Sequence, residues 1–119
     1  MAEQCDAESG EDRERLSHRL VQLETRTGKQ QIMDAVEIAQ ALAHPQRLKL
    51  LATIGDKEVC VCKLVNIVDL SQPAISHHLN ILARVGLLQR RRKGRYNHYQ
   101  ANKKRVSQLT TTVLDLLRE

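Results

Sequence analysis

Apolar residues recur with a helical period along most of the chain and with a period of two in one short stretch. Leu16, Leu20 and Leu23 open the first helical pattern, and residues 25–29 read as a weak break around Gly28. A second helix is predicted from about Gln31, with Val36, Ala39, Leu42 and Ala43 on one face. His44-Pro45 ends it, because a residue before proline is pushed out of helical geometry. Pro45 fits the first turn of a third helix with Leu48, Leu51 and Ala52 as its apolar face, closed by Gly55. A short helix over about 59–68 turns Val61, Leu64, Val65 and Val68 inward, and Asp69-Leu70 makes a turn. Ser71 is then a good N-cap, with Pro73 in a first turn that does not need its N–H. The helix that follows runs to about Val85, buries Ala74, Ile75, Leu79 and Leu82, and stops at Gly86. Two short helices joined by a brief turn are the arrangement of a helix-turn-helix.

After Gly86 the period changes. Residues 87–92 and 95–101 read as two strands joined through Lys93-Gly94. Tyr99 and Ala101 share one face, and Tyr96, His98 and Gln100 share the other. A last helix from about Asn102 carries Val106, Leu109, Val113, Leu116 and Leu117, a stripe wide enough to bury. The predicted fold is mainly α (α+β): a winged helix-turn-helix with a two-stranded β-hairpin wing. The stripe could pack within one chain. With two Tyr and no Phe or Trp there is little other core to cover both terminal helices, so a homodimer through the first and last helices is expected.

Composition narrows the function. A chain of 119 residues fits one domain, and its 41% hydrophobic and 28% charged content is that of an ordinary soluble chain. The scarcity of aromatics excludes single-strand binding platforms, which stack bases on exposed rings. No apolar run reaches the roughly 18 residues of a membrane span, and the acidic N-terminus lacks the apolar core of a secretory signal. Three cysteines, Cys5, Cys60 and Cys62, do not make a disulfide scaffold, so a reduced, cytoplasmic setting with thiols free for other chemistry is expected.

The net charge of +5 hides an asymmetry. Residues 1–15 hold six acids against two bases, which predicts a flexible acidic N-terminal arm ahead of a DNA-binding and dimerisation domain over 16–119. The stretch 84–105 has nine bases and no acid. Most such runs are simply solvated faces. Here Arg90, Arg91, Arg92, Lys93 and Arg95 gather at the tip of the predicted hairpin, a shape suited to lying along phosphates, where each neutralised phosphate releases counterions. No paired carboxylates, no Ser/His/Asp set and no Gly-rich phosphate loop are visible, so no catalytic residue is assigned and an enzyme acting on a small organic substrate is not expected.

Four segments in this order resemble the ArsR/SmtB family of metal-sensing transcriptional repressors. They are Ala43-His44-Pro45-Gln46-Arg47-Leu48, Glu58-Val59-Cys60-Val61-Cys62-Lys63-Leu64, Leu70-Ser71-Gln72-Pro73-Ala74-Ile75-Ser76-His77-His78-Leu79, and the wing Arg92-Lys93-Gly94-Arg95 followed by Tyr99. The resemblance covers roughly residues 31–117. It implies DNA contacts from Ser71, Gln72, Ser76 and His77, with His78 a weaker candidate, and from Arg91, Arg92, Lys93 and Arg95 on the wing. The residue types agree, since Gln72, Ser76 and His77 are polar groups able to meet base edges in a major groove. A dimer sets two such helices about one DNA turn, roughly 34–36 Å, apart, so the operator is expected to be an imperfect inverted repeat.

Cys60-Val61-Cys62 falls at the start of the first helix of the helix-turn-helix. On a regular helix positions i and i+2 point about 200° apart, so the two sulfurs converge only if the helix start is distorted. An isolated buried cysteine is often just a small hydrophobe. At a helix N-terminus, however, thiolates are stabilised and metallation is easier. The pair matches the inducer box of the arsenic- and cadmium-responsive family members. In the arsenite sensors a third Cys follows three residues later, where this chain has Val65. In the cadmium/lead sensors extra cysteines come from the N-terminal arm, which here carries Cys5. The resemblance therefore implies a soft-metal site of Cys60, Cys62 and Cys5, with His18 or Asp6 as candidates for a fourth ligand. His18 reads first as an exposed helix side chain. Three sulfurs suit Pb(II) or As(III), and an added N or O suits Cd(II) or Zn(II). The family's second site on the last helix is absent, because 102–119 has no His. A thiol redox or sulfide sensor is the first rival, ranked low because a Cys60–Cys62 bridge is strained at helical geometry. A metal buffer that uses no DNA is the second.

Overall fold

The computed structural model describes residues 10–118. Its elements are α1 (Gly10–Leu23), α2 (Arg26–Leu42), α3 (Pro45–Ile54), β1 (Val59–Cys60), α4 (Val61–Ile67), α5 (Gln72–Arg84), β2 (Leu88–Lys93), β3 (Tyr96–Ala101) and α6 (Lys103–Leu117). This is a winged helix-turn-helix: α4 and α5 form the helix-turn-helix, β2 and β3 the wing. No helix among the described residues is long and apolar enough to cross a membrane.

Three boundaries differ from the sequence pattern. Helix α1 begins at Gly10, ahead of Leu16, with Glu11 and Asp12 in a first turn that favours negative charge. The break before α2 falls at Glu24-Thr25 rather than around Gly28. The Thr25 hydroxyl accepts from the Gly28 N–H at 3.1 Å and caps α2. Gly28 itself is buried inside that helix. A Cβ there would stand 2.7 Å from the carbonyl oxygens of Gln22 and Leu23, so its role is the close approach of the end of α1.

The third difference is a strand. Val59 and Cys60 are extended and pair with Tyr99 and His98, giving a three-stranded antiparallel sheet of order β1-β3-β2 in place of a two-stranded hairpin. A two-residue strand has no periodicity to detect and exists only because β3 pairs with it. At the tip, Lys93 pairs with Tyr96 across the two-residue loop Gly94-Arg95. Only Gly94 there has positive φ, 62°, as a type II′ turn requires.

The core gathers Ile38 of α2, Leu51 and Ile54 of α3, Leu64 of α4, Ile75, Leu79 and Leu82 of α5, and Leu87, Leu88 and Tyr99 of the wing root. Each buried Leu or Ile contributes about 1.5–3 kcal/mol relative to exposure. Two helices turn differently from the predicted faces. In α2 the buried side chains are those of Ala35, Ile38 and Ala41, while Val36 is exposed. In α3 they are Leu50, Leu51 and Ile54, while Leu48 is 52% exposed. Either stripe satisfies a helical period, and packing decides between them, against α5 for α3 and against α6, α3 and α5 for α2.

Helices α1 and α6 bury no residue. Leu16, Leu20 and Val21 of α1 and Val113, Leu114 and Leu117 of α6 are exposed apolar side chains. The Arg19 guanidinium donates to the Leu116 carbonyl and ties the two helices together. At the other end of α6, Arg105 donates from Nη2 and Nη1 to the two Asp34 oxygens of α2, at 3.0 and 3.1 Å, and from Nε to the Val85 carbonyl at 2.8 Å. One side chain thus joins α2, α6 and the end of α5.

Candidate nucleic-acid interface and thiol pair

Helix α5 is started by Ser71, whose hydroxyl accepts from the Ala74 N–H at 3.2 Å, with Pro73 in the first turn. With Ile75, Leu79 and Leu82 buried, the opposite face presents Gln72, Ser76 and His77 to solvent together with Ser71. Asn80, four residues beyond Ser76, continues that exposed row. It accepts from Arg90 of β2 at 3.0 Å and so joins α5 to the wing. The signal for Asn80 was its helical spacing from Gln72 and Ser76.

His78 does not belong to this face. It is buried, its ring lies 4.7 Å from that of His44 and 5.5 Å from that of His77, and its Nδ1 has no hydrogen-bond partner among the described residues. The helical period sends position 78 inward beside Leu79, so His78 is a packing residue against α3 rather than a base reader. Burial holds its imidazole below the ordinary range, and the positive charge of His44, Arg47 and His77 nearby adds to this.

On the wing and at the start of α6, the chain's folding supplies acids to a run that has none in sequence. Glu58 pairs with Lys93 and stands 3.9 Å from Arg91. Asp56 pairs with Lys103 at 2.8 Å, and Asp34 with Arg105 at 3.0 Å. The hydrogen bond from Lys93 holds the Glu58 carboxyl below its usual range, and that from Lys103 does the same for Asp56. Arg92 donates to the Gly94 carbonyl at 3.2 Å. Arg92 and Arg95 are exposed and have no acidic partner among the described residues.

Cys60 ends β1 and caps α4. Its backbone is extended, with φ −73° and ψ 137°, and its Sγ accepts from the Cys62 N–H at 3.3 Å. The objection from helical geometry therefore does not apply, because only Cys62 is helical. The Cα atoms lie 5.3 Å apart and the two half-buried sulfurs meet as a bonded pair. Among the described residues no third Cys, His, Asp or Glu joins them in a metal-holding group, so His18 is not brought to the pair. His18 sits exposed on α1, 3.5 Å from the Gln22 amide. Cys5 and Asp6 lie outside the described residues.

The sequence profile described as bacterial regulatory protein, arsR family, matches residues 44–90, from the cap of α3 into β2. An HTH-type transcriptional regulator of Methanocaldococcus jannaschii is 37% identical over 83 residues, 69% of this chain and 93% of that protein. A transcriptional repressor SmtB homolog of Synechocystis is 37% identical over 89 residues, covering 75% of this chain and 67% of the relative. A cadmium resistance regulatory protein CadC homolog of Staphylococcus aureus is 33% identical over 82 residues, 68% of each. The chain belongs to the ArsR family.

An ArsR-like transcriptional regulator from Rhodococcus shares the fold of this ArsR-family chain, with a TM-score of 0.66 at 24% identity over 71% of this chain and 80% of that one. Helix-turn-helix regulators of the ArsR family bind operator DNA, and the relatives named here are transcriptional regulators rather than enzymes. Within the ArsR fold of this chain, α5 and the wing form one exposed polar and basic surface, and the thiol pair sits at the entrance to the helix-turn-helix.

Proposed function

We propose that this ArsR-family protein is a homodimeric repressor that binds an imperfect inverted-repeat operator when metal-free and releases it when a soft ion is held by Cys60, Cys62 and Cys5. The observation that carries the reading is Cys60 as an extended cap, which turns its sulfur toward Cys62 at the head of α4. Two thiolates so placed supply half of a tetrahedral Cd(II) or Zn(II) site, or two legs of a three-sulfur Pb(II) site. The relatives' names support this choice, since one is a cadmium resistance regulator and another an SmtB-type repressor. Gln72, Ser76 and His77 read bases, while Ser71, Arg91, Arg92, Lys93 and Arg95 meet phosphates. The exposed apolar residues of α1 and α6 form the dimer interface, which gives the two copies of α5 their spacing on DNA.

Ion and operator bind to different states of one molecule, so each weakens the other by the same factor. Anisotropy titration against a duplex selected by the protein from random-sequence DNA tests this. Cd(II), Pb(II), Zn(II) or arsenite should lower affinity, and Cys60→Ser should keep binding and lose the response. Unchanged binding with all four ions sinks the reading. Retention of the full response in Cys5→Ser removes the arm from the site.

The contact between the two sulfurs favours a second reading, a thiol redox switch at the same pair. In that case mild oxidation removes two hydrogens per chain by mass spectrometry and changes operator affinity in metal-free protein. Arsenite as the natural inducer is the weaker alternative, because Val65 stands where a third helical thiol would be.

A further inference from the structure

Strand register sorts the wing's cations into two rows. Arg90 stands opposite buried Tyr99 and donates to Asn80 of α5, so Arg90 and Arg92 share the side that faces the body. Arg91 and Lys93 occupy the other side. There Cys60 pairs with His98, and His98 pairs with Arg91, which draws one line across all three strands. Glu58, two residues before Cys60, reaches across β3 to the same side. One carboxylate oxygen meets Lys93 and the other lies 3.9 Å from Arg91. The carboxylate side chain is 25% exposed, against 73% for Arg91 and 48% for Lys93. An acid that is mostly enclosed thus neutralises two cations that are not.

We propose that Glu58 sets the wing's affinity for DNA by occupying Lys93 and Arg91 in the place of a backbone phosphate. A carboxylate and a phosphate offer these cations the same kind of partner. A cation already neutralised by protein neutralises no phosphate, so it releases none of the counterions condensed on the DNA and adds little to the salt dependence of binding. The wing therefore engages phosphates most strongly through Arg92 and Arg95, and through Lys93 and Arg91 only as far as a phosphate displaces Glu58 from them. The inference rests on operator binding as proposed above and adds an intramolecular competitor to it.

The test uses full-length, reduced, metal-free protein and the selected duplex, with anisotropy between 50 and 200 mM NaCl. Glu58→Gln keeps shape and removes charge. It should bind more tightly, on the order of 3- to 10-fold near 100 mM salt, with a slope of log K against log salt steeper by about 0.9 for each phosphate gained. Lys93→Gln added to Glu58→Gln should remove the gain. Glu24→Gln, at the α1–α2 junction and paired with Lys29, loses the same charge away from the wing and should not steepen the slope. A thermal melt of Glu58→Gln within a few degrees of wild type shows that the fold survives. An unchanged slope, a gain matched by Glu24→Gln, or weaker binding, which marks Glu58 as a brace for the wing, would each overturn the proposal. Failure of wild type to bind any duplex is seen before a variant is made, and identifies the operator reading as the part at fault.

Discussion

Arg105→Met removes the guanidinium at the junction of α2, α5 and α6 while keeping an apolar stem over Gly86, whose open side the Arg105 side chain covers. Four polar contacts are lost: two to Asp34, one to the Val85 carbonyl and one to Gln108. A hydrogen bond to a charged group is worth about 1.5–3 kcal/mol. The Arg105 and Asp34 side chains are 20% and 34% exposed, so solvent screening lowers the pair's share. We expect a net loss of about 2–3 kcal/mol, a large part of the roughly 5–15 kcal/mol that holds a domain together. In a chain of this size that is a fall in Tm of about 8–12 °C. Urea denaturation followed by circular dichroism measures it, repeated at several protein concentrations because association changes apparent stability. Asp34→Asn and the double variant complete a cycle, and the coupling between the two residues should exceed about 1 kcal/mol. A loss below about 0.5 kcal/mol, or strictly additive single effects, would refute the idea that this side chain braces α5 against the terminal helix.

Gly28→Ala should destabilise, although alanine favours a helix interior by about 1 kcal/mol, because its Cβ meets backbone oxygens of α1 that cannot swing away; a Tm above wild type would contradict the close approach. His78 has a folded pKa below its ordinary value, so the folded state binds fewer protons than the unfolded state. Its contribution is complete above about pH 6.5 and is lost as pH falls from there toward the lowered folded value. Melts between pH 7.5 and 5.5 should therefore show a steeper loss in wild type than in His78→Gln, and equal slopes would exclude His78 as a source. Arg92→Ala and Arg95→Ala should each reduce the salt slope of operator binding by about 0.9, with little change in which sequence is preferred. A changed base preference would mean that they touch bases.

Much of the architecture is written in local chemistry. Pro45, Ser71, Gly86 and Asn102 act where their own φ preferences or side-chain oxygens place them, so the starts of α3, α5 and α6 and the end of α5 are legible from sequence. What escapes notice is non-local. Gly28 looks like a break until α1 is seen pressed against it. Strand β1 depends on a partner some forty residues away, and with it the geometry of Cys60. Asp34, Asp56 and Glu58 lie outside the basic run in sequence and beside it in space, Glu58 on the wing and the two aspartates at the start of α6, so counting along the chain overstates the free charge of the run. The base-reading candidates Gln72, Ser76 and His77 fall on the exposed face of α5, whereas the next residue, His78, lies past the edge of that face and turns inward beside Leu79.

Among the described residues the order β1-β3-β2 leaves β2 with one neighbour and one open side. Along that side runs a row of unpaired backbone donors and acceptors, the kind of template on which another chain can add a strand. Five of the six residues of β2 are exposed, and four of those are Arg or Lys. Like charges laid along an open edge repel a second copy of the same edge, so the residues that address phosphate also keep wings from zipping together. Variants stripped of several wing charges should therefore be checked by light scattering before weak DNA binding is attributed to lost phosphate contacts, because the same change opens a path to strand-by-strand aggregation.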